Sequence, residues 1–137
     1  MSWIALSLAS AGFAALVSIF AKVGLQGIDT TLATTVRAVI MAGFLVIVAL
    51  SLGKLSLGSL PQGKELLFIV LSGIAGALSW LAMFAALKAG PAPGVAALDR
   101  LSVVFVLIFS LLFLGTEFTW KAAAGAALIT LGAILML

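Results

Sequence analysis

Residues 66–87 read LLFIVLSGIAGALSWLAMFAAL, a run without a single charged side chain. About 20 apolar residues in a helix cross the hydrocarbon core of a bilayer. Lipid offers no hydrogen-bond partner, so the backbone of such a run must satisfy itself as a helix. Four further stretches are similarly apolar, at 2–21, 30–53, 93–115 and 118–137, the last three interrupted by one or two charges. Their boundaries carry the usual helix punctuation. Lys22 and GLQGID close the first, and GKLSLGSLPQGKE, rich in Gly, Ser and Pro, separates the second from the third. Lys88 and Gly90-Pro91 end the third, and Pro93 stands in the first turn of the fourth, where its missing N–H is tolerated. The expected fold is an all-α integral membrane protein with five transmembrane helices in one domain over 1–137. Composition supports this: 8% of residues are charged and 65% hydrophobic. A soluble domain carries roughly a quarter charged residues, so no water-facing surface can be built from this inventory. The first span lacks the basic start of a secretory signal and is read as part of the mature structure.

The chain has no Cys and no His. Disulfides, thiolate nucleophiles, Cys/His metal centres and imidazole acid–base chemistry are therefore excluded. No Walker A loop appears, and no nucleophile, base and orienting group stand in a recognisable arrangement. Neither an enzyme nor a cofactor or metal is expected. The net charge of +3 comes from scattered Lys and Arg rather than a basic cluster, so no nucleic-acid partner is implied. The expected partners are the bilayer, a small-molecule substrate and a second copy of the chain.

Five spans place the two termini on opposite membrane faces. Lys54, Lys64 and Lys121 fall on one face; Lys22 and Lys88 fall on the other, with Arg37 and Arg100 if they snorkel outward. Topology follows the excess of Lys and Arg in short loops, and here neither face has a clear excess. Such a chain can insert both ways, which permits an antiparallel homodimer.

The stretch WLAMFAALKAGPAPGVAALDRLSVVFVLIFSLLFLGTEFTWKAAAGAALITLGAILM resembles the second half of an EamA domain of the drug/metabolite transporter superfamily. The resemblance rests on the ALKAGPA helix end, the LDRLSVV start, the LFLG end, the following TW and a Gly-rich last helix. AKVGLQGID and a second span holding Arg37 extend it over the whole chain. Members commonly carry two five-helix units in inverted orientation, and this chain is similar to one of them. The resemblance implies a multi-pass protein, expected in the bacterial inner membrane, that moves small organic metabolites or drugs by alternating access. Folds built from inverted repeats place the substrate between the repeats near the midplane, so a single unit would complete the site by pairing with an inverted copy. The alternative is a non-transporting membrane partner, or a heterodimer subunit whose sister chain completes the site. Two departures stand out. Thr116 follows LFLG where the family commonly has Glu, and Glu117 comes one residue later, in the turn. The acidic residue that small multidrug resistance relatives keep in their first helix is missing here.

Within this frame, nine residues are candidates to line a substrate path: Ser7, Ser10, Ala14, Arg37, Gly76, Trp80, Phe84, Asp99 and Ser102. Ser7, Ser10, Ala14 and Ser18 recur at helical spacing on the first span, as a small, slightly polar face that can line a cavity or bond to its own backbone. Gly73, Gly76, Trp80 and Phe84 share one side of the third span, where small residues admit a neighbour and the aromatics form a wall. Charges within spans are costly and are usually functional or paired. Arg37 reaches an anionic substrate, holds Asp29 or Asp99, or snorkels to the interface. Asp99 lies on the second turn of the fourth span, with Ser102 and Ser110 following on its face. It is either a group exchanging protons or cations at a cavity wall, or half of an anchoring pair with Arg100 near the helix N-terminus, where the dipole favours an anion. Gly125 and Gly132, seven apart on the last span, resemble the dimer-forming face of small multidrug resistance proteins and are the candidate dimer contacts; packing against the fourth span is the other reading.

Overall fold

The computed structural model describes residues 2–56, 58 and 60–137. Residues 57 and 59 belong to the loop expected between the second and third spans and lie outside that set. The described residues form α1 Trp3–Gly24, α2 Thr30–Ser51, α3 Lys64–Ala89, α4 Ala92–Asp99, α5 Ser102–Phe113 and α6 Trp120–Leu135. α1, α2, α3 and the combined segment Ala92–Phe113 are each long and apolar enough to cross a membrane, and α6 is a shorter apolar helix. The protein is thus an all-α five-helix membrane unit whose fourth span is broken.

The helix ends follow local chemistry. Asp29 caps α2, its carboxylate accepting from the Leu32 N–H at 2.9 Å; Thr119 caps α6, its hydroxyl accepting from the Ala122 N–H. Gly53 leaves α2 with φ of 63°, and the Lys54 N–H reaches back to the Ala49 carbonyl at 2.9 Å. That is the left-handed helix stop that favours glycine. Gly115 does the same after α5, with φ of 61°. The chain then runs without helix through Thr119, so α6 begins at Trp120 rather than at 118, and Glu117 sits exposed in the connection.

The fourth span, expected as one helix over 93–115, is interrupted at Arg100 and Leu101. The N–H groups of Arg100, Leu101, Val103 and Val104 bond to carbonyls three residues back, and α-helical bonding resumes from Phe105 to Leu101. This is a short 3₁₀ stretch inside a helix, a tightening often found at hinges or under strain. No Gly or Pro lies at the break. Asp99 is consequently the last residue of α4 rather than a second-turn residue of a long helix.

Many hydroxyls along the spans are satisfied locally. Ser7, Ser18, Thr34, Thr35, Ser51 and Thr130 each donate to the carbonyl four residues earlier, at 2.7–3.1 Å. An unpaired hydroxyl in lipid is costly, and this back-bonding removes the cost without a partner helix. Among the described residues, Leu87 is the one large side chain fully buried, while Trp3, Phe113 and Trp120 are more than three-quarters exposed. Such an outward apolar surface suits lipid or another helix.

The contacts divide the chain into two compact units, one holding the segments up to Lys22 and from Ala89 to Leu137, the other Val23–Lys88. In the first, α6 runs back along α5 and α4. A Cβ on Gly94 of α4 would lie 3.5 Å from the Met136 carbonyl oxygen. At the same end, Lys22 Nζ donates to the Gly90 carbonyl at 2.8 Å. In the second unit, Lys88 Nζ donates to the Ile28 carbonyl at 2.7 Å, tying the end of α3 to the start of α2.

Candidate functional site

Each unit holds one constellation built from the expected residues. In the unit of α2 and α3, the Arg37 guanidinium carbon sits 3.6 Å from the centroid of the Trp80 ring and 5.8 Å from that of Phe84. The two rings meet edge to face with centroids 5.8 Å apart. Helical spacing explains the pair: positions 80 and 84 share one face of α3. The antiparallel course of α2 and α3 explains the rest. Arg37 lies seven residues from the start of α2 and Trp80 nine from the end of α3, which at 1.5 Å per residue is about 10 and 13 Å along the two helices. Phe84 is buried, with 3% of its surface exposed, and Arg37 and Trp80 are half-buried.

Magnitudes show what the cluster leaves undone. An arginine near the centre of a span costs about 2.5–3.5 kcal/mol on insertion scales. A cation seated on an aromatic face returns about 0.5–2 kcal/mol. The rings shield the charge but accept few of the five guanidinium N–H donors. Asp29, a candidate partner by sequence, has its carboxylate on the Leu32 N–H instead. Among the described residues of this unit, no carboxylate or carbonyl accepts from Arg37.

In the other unit, a groove of about 370 Å³ is lined by Leu6, Ser7, Ser10, Ala11, Ala14 and Arg100. Ser7, Ser10 and Ala14, expected on one face of α1, lie together along this groove. Its charged member, however, is Arg100 and not Asp99. Asp99 is exposed, and among the described residues of its unit it forms neither an ion pair with Arg100 nor a hydrogen bond. The break at Arg100 gives the physical reason: the last turn of α4 ends at Asp99, and the tightened backbone carries the next side chain over the groove. The Ser7 hydroxyl bonds to the Trp3 carbonyl, leaving Ser10 and Arg100 as the polar groups with free capacity on this wall. Ser102 begins α5 and is exposed.

A second groove of about 350 Å³, almost entirely apolar, lies between α4–α5 and α6, lined by Ala97, Arg100, Val103, Ile129, Gly132, Ala133 and Met136. Gly132 thus borders a groove within its own chain. A Cβ at Gly125 or Gly132 would meet nothing within 4 Å, so neither glycine is needed for packing in this chain. Gly76, one turn before Trp80, is likewise open. Sequence reasoning missed Arg100 as a groove residue and the lysine clasps to Gly90 and Ile28. The signal for Arg100 was its long stem at the head of a hydroxyl-bearing span. Among the described residues, no group of three or more acidic or other metal-ligating side chains gathers to hold a metal ion.

Comparison with known proteins covers the whole length. The model of the EamA-like transporter family matches residues 1–137. A Sinorhizobium protein named as an uncharacterized transporter in the cobO 3′ region is 43% identical over 135 residues, which cover 98% of this chain and 96% of the relative. No solved structure matches the chain.

Proposed function

The chain belongs to the EamA-like transporter family and is a multi-pass membrane transporter; from that premise we propose that it is a secondary transporter of small organic metabolites or drugs, working by alternating access as an antiparallel homodimer in the bacterial inner membrane. The observation that carries this reading is the broken fourth span, whose Arg100 opens onto the Ser7–Ser10 groove of α1. Broken helices that line a polar cavity are the usual place for substrate in transporters of inverted-repeat design. Irregular backbone at membrane depth is tolerated where it faces protein or water rather than lipid. The 3₁₀ stretch at Arg100–Leu101 supplies a point about which α4 and α5 can bend while the rest of the span stays helical.

Pairing with an inverted copy rests on three further supports. The described residues form one five-helix unit, and the Sinorhizobium relative is matched over 96% of its own length. Lys and Arg are nearly balanced between the two faces, so both orientations are accessible. The glycines at 125 and 132 leave room on α6 for a helix to approach. Such a dimer would set two copies of each groove around a common axis, and opening them alternately would carry a solute across.

Purified protein reconstituted alone into proteoliposomes tests the proposal. Uptake or counterflow of at least one solute from a panel of labelled metabolites is expected, with Arg100→Gln and Ser10→Leu each reducing the rate at least about tenfold, the loss of one polar contact worth about 1.4 kcal/mol. Flux that appears only after a second five-helix chain is added would instead favour the heterodimer reading.

A further inference from the structure

We infer that the Arg37–Trp80–Phe84 cluster is an oxyanion seat, and that the solute carried is a monovalent organic carboxylate. This rests on the transport reading above and names the substrate class. The guanidinium stands against Trp80 at 3.6 Å, with Phe84 edge-on to that ring. A guanidinium held by its face still offers its in-plane N–H fork, whose spacing matches the two oxygens of a carboxylate or phosphate. Among the described residues of the unit the fork has no acceptor: the Asp29 carboxylate accepts from the Leu32 N–H, and the buried Thr34 hydroxyl, one turn before Arg37, donates to the Thr30 carbonyl. The cluster also lies at depth within its own span: Arg37 is seven residues, about 10 Å, from the start of α2, so an anion bound there sits inside the span rather than at its end.

Charge narrows the ligand. Arg37 is the cation seated on the two rings, and the other cations of the unit, Lys54, Lys64 and Lys88, lie in a loop or at the ends of α3, so one positive charge is available at the cluster. In surroundings of low dielectric one negative charge is balanced there and two are not. A carboxylate fits; a phosphate monoester dianion does not. A lipid phosphodiester shares the single negative charge and the oxygen geometry, and the test must separate it from a soluble carboxylate.

Three tryptophans are present, at 3, 80 and 120. In a Trp3→Phe/Trp120→Phe protein in phosphatidylcholine nanodiscs, Trp80 alone reports on the seat. Titration with sodium acetate, pyruvate and butyrate is expected to give a saturable change in Trp80 emission with at least one of them. Sodium chloride and tetramethylammonium should give none. Arg37→Gln should weaken the response at least about tenfold and Arg37→Lys less, since a point charge lacks the fork. A protein that elutes like the parent but responds to no carboxylate would overturn the inference. So would an equal response from Arg37→Gln, or a change seen only with phosphatidylglycerol nanodiscs and not displaced by carboxylate. Flux of the same carboxylate in proteoliposomes separates the two levels. Binding without flux keeps the seat and removes the transport reading; flux indifferent to Arg37→Gln keeps transport and removes the seat.

Discussion

At the scale of single residues, the account turns on arginines whose cost in lipid is only partly offset by the protein. Arg37 gives the sharpest consequence. Because the aromatic contact returns less than insertion costs, Arg37→Leu is expected to leave the unit as stable as the parent, or more stable by about 1 kcal/mol, while ending transport. Unfolding in mixed micelles and flux in proteoliposomes read the two quantities separately. A variant that loses both together would mark Arg37 as structural. Trp80→Leu should lower stability by about 0.5–2 kcal/mol through loss of the cation–π seat, checked in the same unfolding series. Lys22 and Lys88 show a different use of charge: each donates to the carbonyl of a connecting segment, Gly90 and Ile28, and so satisfies a backbone acceptor outside the helices. In the sequence they read only as loop positives. That Arg37 meets Trp80 was legible in principle from equal depth in an antiparallel pair, seven residues from one end and nine from the other. Nothing in the sequence fixed the rotation of α2 that turns position 37 toward α3.

At the scale of elements, hydropathy located every span, because the lipid requirement for self-satisfied backbone is the strongest constraint on such a chain. The break in the fourth span was not legible. Helix interruptions announce themselves through Gly or Pro, and Ala97-Leu98-Asp99-Arg100-Leu101 contains neither. In an unbroken helix Asp99 would be a second-turn residue; the break makes it the last residue of α4 and leaves Arg100 on the groove. The stops at Gly53 and Gly115 are conventional, and Gly115→Ala, forced to keep φ near 61°, should cost about 1 kcal/mol and loosen the α5–α6 hairpin. Thermal unfolding in detergent would register it. Gly94 behaves differently: an alanine Cβ would sit at an ordinary 3.5 Å from the Met136 carbonyl oxygen and be tolerated. Gly94→Leu would push the end of α6 away, at about 1–3 kcal/mol.

At the scale of the whole molecule, charge balance and assembly are linked. The near equality of Lys and Arg on the two faces was read directly from the sequence, and so was the family, since it rests on ordered motifs along the chain. The assembly follows from physical reasoning about a single unit and has a distinctive signature. Replacing Lys54, Lys64 and Lys121 with Gln should bias all copies to one orientation, and replacing Lys22 and Lys88 with Gln should bias them to the other. Each variant alone is expected to lose flux in cells, and co-expression of the two to restore it. Independent full activity of either variant would contradict the antiparallel pair.

The most direct measurement is topology in intact cells. The chain has no cysteine, so Ser2→Cys, Gln26→Cys, Ser56→Cys and Leu137→Cys each introduce one thiol, two on either face. Labelling with a membrane-impermeant maleimide is expected to be partial and comparable at all four positions, because half of the copies present each face outward. Complete labelling at Ser2→Cys and Ser56→Cys with none at Gln26→Cys and Leu137→Cys, or the reverse, would show a single orientation and contradict the homodimer.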